Sequence, residues 1–211
     1  LTLFFGELDD THRPHKLYRY RLDGTAAEEV FHEPDGRFFM HCYRSSSEQQ
    51  LLLSLGSKTT SEAWVLDAAT PQGEFRCLAP RQEEHEYHVD HGLLDGEWTW
   101  FVRSNQAGIN FALYAASETQ PSREHWRQLI GHDERRMLEG VTLNRDAFAL
   151  SLVGRARDVG TVQALAQRAV VRELHHGQVA GQLERELVAL HAIGFGRSAG
   201  CSLHVGRHAI H

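Results

Sequence analysis

Cysteine is scarce in this sequence, and what there is lies scattered. Cys42, Cys77 and Cys201 form an odd set with no Cys-x-x-Cys spacing, which argues against a disulfide framework and against a structural zinc site. Such usage fits a reducing compartment, so the expected location is the cytoplasm. Long hydrophobic runs are also missing: nothing approaches the roughly 20 apolar residues of a membrane span, and no basic region followed by an apolar core opens the chain. No membrane partner is expected. Positive charge is in deficit, with 22 Lys and Arg against 28 Asp and Glu, a net charge of −6. A chain so balanced offers no basic footprint for phosphate backbones, so nucleic acid is not an expected partner either.

What is present is a β-rich pattern repeated at about fifty residues, the period range of propeller blades. Runs at 37–43, 50–55 and 63–67 are followed by runs at 86–90, 98–102 and 110–114, and a third round opens at 136–141 and 147–151. Each is short and bounded by polar turn residues, the signature of a meander. Outer strands are expected at 75–78 and 125–130. Ahead of the repeats, 1–7 and 16–22 flank the polar turn 9–15 and read as a hairpin supplying the last two strands of an earlier blade. Units of this kind cannot bury both faces alone and must stack on neighbours around an axis. The expected fold class is therefore all-β: an incomplete β-propeller of about three four-stranded blades over 1–153. The chain opens in mid-strand at Leu3-Phe4-Phe5 and reads as a fragment of a longer one.

The pattern changes after Leu152. Val162, Leu165, Ala166, Ala169, Val170, Leu183, Leu187 and Leu190 are spaced at period 3.6, which favours helix in 161–193. A second reading stands beside it, in which 162–165 and 170–174 are the last two strands of the third repeat. The stretch 194–211, rich in Gly, Ser and His, is expected to be poorly ordered. The segment 154–211 is thus an unassigned tail, for which a frameshift, a truncation or a chimeric gene is one explanation.

Several blocks then become recognisable: Lys16-Leu17-Tyr18-Arg19-Tyr20-Arg21-Leu22, Lys58-Thr59-Thr60-Ser61-Glu62 running into Val65-Leu66-Asp67, and His85-Glu86-Tyr87 with Asp90-His91. Arg103-Ser104-Asn105 leads through Gly108 to Asn110-Phe111, and Met137-Leu138-Glu139-Gly140 is followed by Thr142-Leu143. In order and spacing, residues 1–153 resemble the N-terminal propeller of the oligopeptidase B group of the prolyl oligopeptidase family, which are cytoplasmic serine peptidases. The resemblance implies a propeller that caps a C-terminal α/β-hydrolase domain and gates entry of small peptides cut after Lys or Arg. It also implies that the catalytic residues lie in that other domain, so no catalytic residue carries over to this chain. A stand-alone propeller that binds a protein partner is the alternative.

Four candidate sites are weighed on their own chemistry. Gly196-Arg197-Ser198-Ala199-Gly200 matches the nucleophile elbow, with His204, His208 or His211 as base, but no Asp or Glu follows it and the strand and helix that an elbow needs are absent from the pattern. The run from His85 to His91 holds three histidines with Glu86 and Asp90. On a strand, His85, Tyr87, Val89 and His91 share one face and His88 the other, so the histidines cannot converge on a metal. Glu83, Glu84 and Glu86 form an acidic cluster that reads as solvated loop charge, with electrostatic focusing of cationic peptides as the functional alternative. Trp64, Trp98, Trp100 and Phe101 read as packing between blades. No catalytic, cofactor or metal site is assigned, no cofactor is expected, and the chain is expected to be inactive alone.

Overall fold

A computed structural model describes residues 1–144, 147–154 and 169–173, and among these every regular element but one is a β-strand. The first sheet has the order β1 (Thr2–Leu8), β2 (Pro14–Arg21), β3 (Glu28–His32). The second runs β4 (Phe39–Arg44), β5 (Gln50–Gly56), β6 (Ser61–Asp67), β7 (Arg76–Ala79), and the third β8 (Tyr87–Leu94), β9 (Glu97–Ser104), β10 (Ala112–Ser117), β11 (Arg127–Ile130). A single 3-10 turn, Arg123–His125, precedes β11. The fourth sheet is β12 (Arg136–Asn144), β13 (Ala147–Gly154), β14 (Ala169–Glu173). The second and third sheets are four-stranded antiparallel meanders, and the array is an open propeller.

Successive sheets are joined by apolar seams, because the central strands are apolar on both faces. On β5, Leu53 and Leu55 join Leu17, Phe38 and Met40 against the first sheet, while Leu52 joins Val65, Tyr87, Val89, Trp100 and Val102 against the third. On β9, Trp100 and Val102 face one seam and Phe101 the other, where it meets Leu113, Leu138, Phe148 and Leu150. A strand buried on both sides reads as an unbroken apolar run rather than an alternating one, and Leu51-Leu52-Leu53 and Trp100-Phe101-Val102 are such runs. Each large side chain so buried contributes roughly 1.5–3 kcal/mol.

Local geometry follows the same logic. Asp95 and Gly96 turn β8 into β9 with φ of 54° and 86°, the pair of positive values that a two-residue type I′ hairpin requires and that Asp-Gly tolerates. Pro14 sits at the first position of β2 opposite Leu8, beside a register shift at Glu7/Leu8, where its missing N–H interrupts no ladder. At Gly92 an added Cβ would lie 3.0 Å from Leu143 Cδ1, so the third and fourth sheets approach closely there.

Two expectations need correction. The opening sheet has three strands rather than two: β3 pairs with β2, and its exposed Glu28 and Glu29 masked an edge strand that Val30 and Phe31 anchor from below. The helical period of 161–193 fails at 169–173, where β-branched Val170 and Val171 lie in β14. That is the strand type of the second reading, but β14 pairs parallel to β13 instead of continuing the antiparallel meander. The proposed strand 162–165 and residues 174–211, with their histidines and Ser198, lie outside the described residues. Among the described residues no helix is long and apolar enough to cross a membrane.

Candidate functional site

The run before and along β8 meets its neighbours as strand alternation dictates. His85 is buried, its Nε2 2.8 Å from Ser104 Oγ and its ring stacked on Tyr87 at 5.5 Å. Burial, and then the nearby Arg123 charge, push it down to about 4. His91 is 0% exposed. Its Nδ1 lies 2.8 Å from Ser47 Oγ, and its ring packs on Trp98 at 5.4 Å and Trp100 at 4.6 Å. His88 is exposed on the opposite face, with its ring 6.4 Å from Phe111. The three imidazoles point apart, and among the described residues no three His, Cys, Asp or Glu side chains are grouped to hold a metal.

The acidic cluster is dispersed along the β7–β8 connection. Glu83 is exposed and pairs with Arg37 at 3.4 Å, Glu84 is exposed with φ of 62°, and the Glu86 N–H donates to Asn105 Oδ1 at 2.9 Å. Trp64, Trp100 and Phe101 pack between sheets, whereas Trp98 meets a ring of its own sheet. Trp100 and Phe101 are buried, Trp98 stacks on His91, and Trp64 meets Phe31 edge-on at 5.1 Å while its indole donates to Glu62 Oε2 at 3.0 Å.

Two features escaped the sequence reading. One is a buried charge network across the first two sheets. Arg81, after β7, bonds Glu33 at 2.5 Å and Glu62 at 2.8 Å, and its guanidinium lies 3.9 Å over the Phe38 ring. Arg13 donates from Nη1 to the carbonyls of Glu33, Asp35 and Phe38. Burial pushes the Glu62 carboxyl up, but the hydrogen bonds from Arg81 and Trp64 outweigh it and hold the group below the usual glutamate range. A signal was available: Glu62 shares its strand face with Trp64 and Leu66, and a carboxylate on an apolar stripe needs a partner. The other feature is a groove of about 400 Å³ at the end of the second sheet, lined by Arg44, Glu48, Gln50, Asp67 and Glu118 among others. It has no sequence signature, because its walls come from turns of two different sheets.

The repeats, the seams and the open stack of meanders match one family model, that of the prolyl oligopeptidase N-terminal beta-propeller domain, over residues 1–185. The chain belongs to the prolyl oligopeptidase N-terminal propeller family. Within this family the chain is 33% identical over 146 residues to dipeptidyl aminopeptidase BI of Pseudoxanthomonas mexicana, covering 67% of this chain and 20% of the relative. It is 26% identical over 151 residues to protease 2 of Moraxella lacunata, covering 71% of this chain and 21% of that protein. Among solved structures, oligopeptidase B from Trypanosoma brucei superimposes with a TM-score of 0.60 at 21% identity, over 74% of this chain and 24% of that one. Oligopeptidase B from Leishmania major gives 0.58 at 23% identity, over 66% and 20%. These likenesses establish the propeller fold. This propeller spans about a fifth of the length of the curated relatives it matches.

Proposed function

We propose that this propeller gates the entry of small peptides to a C-terminal α/β-hydrolase domain in a cytoplasmic, oligopeptidase B-like serine peptidase that cuts after Lys or Arg. The observation that carries the reading is the match to the family's N-terminal propeller over residues 1–185, joined to a stack of meanders whose apolar seams hold sheet to sheet. In this reading the propeller's contribution is selection, and the chemistry lies in the domain it covers. The net charge of −6 favours approach of cationic peptides over anionic ones.

A second reading has its own support. The 33% identical relative is named a dipeptidyl aminopeptidase, and a peptidase of that kind removes residue pairs from a free N-terminus instead of cutting internally.

One chimera tests both. Residues 1–153 replace the corresponding segment of the Pseudoxanthomonas relative, and cleavage is measured on peptides of increasing length, with free and with acetylated N-termini. Gating predicts a steep fall of kcat/KM with substrate length, and a chimera that cuts a folded protein as fast as a short peptide refutes it. Cleavage of acetylated Lys or Arg peptides supports the endopeptidase reading, while strict dependence on a free amine supports the other. The 211-residue chain alone is expected to hydrolyse neither, and turnover that survives repurification overturns that expectation.

A further inference from the structure

The contact between the second and third sheets contains a polar assembly that the propeller's role does not use. The β4–β5 turn reaches across the seam onto β8. Ser46 donates from its backbone N–H to Asp90 Oδ1 at 2.8 Å and from its hydroxyl to Oδ2, and the Ser47 N–H donates to the His91 carbonyl at 3.0 Å. Behind these lies a chain of hydroxyls. Ser45 Oγ accepts the Gln50 N–H at 3.1 Å, Ser47 Oγ accepts the Gln49 N–H at 3.2 Å, the two hydroxyls are 2.8 Å apart, and Ser47 Oγ is 2.8 Å from His91 Nδ1.

The direction of this chain can be derived. Ser45 is 3% exposed, and the acceptor available to its own hydroxyl proton is Ser47 Oγ. Ser47 then has its proton free for His91, which makes Nδ1 an acceptor and puts the imidazole proton on Nε2. Nε2 has no hydrogen-bond partner, and it faces Glu118 Oε1 across 3.6 Å. The groups that face the ring are the hydroxyls from the β4–β5 turn, Trp98 and Trp100 from β9, and Glu118 from the turn after β10, while the Asp90 carboxylate accepts the His91 backbone N–H and acts on the ring through its charge.

We propose that Ser45, Ser47 and His91 form an acid-opened latch that closes the seam between the second and third sheets while His91 is neutral. Protonation puts a solvent-derived proton on Nδ1. The Ser47 hydroxyl must then turn to Ser45, whose own proton is left buried without an acceptor, a costly state for any buried donor. Glu118 attracts the imidazolium from the other side but stands too far off to hydrogen-bond it. Burial of the ring acts in the same sense as the hydroxyl chain and outweighs the two carboxylates, so His91 titrates below its ordinary value. A base held low when folded contributes stability above its unfolded value near 6.5 and loses it as pH falls.

The test uses the full chain with 15N-labelled histidine. Long-range proton–nitrogen correlation is expected to show His91 neutral with its proton on Nε2 at pH 7 and a titration midpoint below 6.5. Hydrogen exchange at the Ser47 amide, corrected for intrinsic pH dependence, should rise between pH 7 and pH 5 by about sixfold for a midpoint displaced by one unit and by at most about 25-fold for a larger displacement, while β9–β10 amides stay unchanged. His91→Gln removes that dependence. If this variant does not fold, Ser47→Ala serves instead: it removes the hydroxyl that donates to Nδ1 in the neutral form and should raise the His91 midpoint. A proton on Nδ1 at pH 7, a midpoint at or above 6.5, or exchange at Ser47 that ignores pH overturns the proposal.

Discussion

Replacing Arg81 by alanine is expected to destabilise the chain by about 3 kcal/mol at pH 7 and by much less near pH 4. Arg81 is the shared partner of Glu33 and Glu62, whose side chains are 4% and 8% exposed. Breaking a buried pair by removing one member costs about 3–5 kcal/mol, because the remaining charge is left without compensation. Arg81 itself is 30% exposed, so water can enter the vacated space, which places the loss at the lower end. For a domain of this size that corresponds to a fall in Tm of about 6–12 °C, at about 2–4 °C per kcal/mol. The pH dependence follows from Glu62. Its carboxyl is held low in the folded chain, so the stability it contributes is full above the unfolded glutamate value of about 4.3 and is lost as pH falls through the lower folded value. In the variant the guanidinium's bonds are lost while burial, the Trp64 indole and the residue-81 backbone N–H remain, so the group rises from its held-down value and protonation in the folded state relieves part of the cost. Urea denaturation of both proteins at pH 7 and pH 4 reads the difference. Converting all three residues to neutral ones, Glu33→Gln, Glu62→Gln and Arg81→Met, should recover most of the loss. A loss under about 1 kcal/mol at pH 7, the range of exposed pairs, or an equal loss at both pH values, would refute the claim that the network is buried and coupled.

Trp100 is 0% exposed at the seam between the second and third sheets, and Trp100→Ala should cost about 3–5 kcal/mol in chemical denaturation; a loss near zero would mean that the sheets do not stack there. His85 is held at about 4 by burial and Arg123, so stability should decline as pH drops from about 6.5 towards that value. His85→Gln should flatten this part of the pH profile, and an unchanged slope would place its origin elsewhere. Leu3 and Phe5 are 52% and 42% exposed on one face of β1, and adjacent exposed apolar side chains promote association. Sedimentation at micromolar concentration should show self-association that Leu3→Lys with Phe5→Lys suppresses, whereas a monodisperse unmodified chain would contradict this.

Strand content and order were legible in the chain itself, since period-two runs such as those of β8 and continuous apolar runs such as Leu51-Leu52-Leu53 depend only on side-chain direction along a strand. The fifty-residue repeat made stacking necessary, because a meander apolar on both faces has no other way to exclude water. The alternation of His85, His88 and His91 was likewise a local property: it turns His88 away from the other two, and six residues of extended chain at about 3.3 Å each hold His85 from His91. β3 was not legible: its sequence, Glu28-Glu29-Val30-Phe31-His32, is half charged, and only pairing with β2 and packing on the first seam make it a strand. The same holds for β14, where local spacing suggested a helix and pairing with β13 prevailed. Partners distant in sequence were decided by the tertiary structure alone. Glu33, Glu62 and Arg81 come from three separate segments, and Ser47 meets His91 from a neighbouring sheet. No local pattern encodes such meetings, because they arise from how one sheet is set against the next.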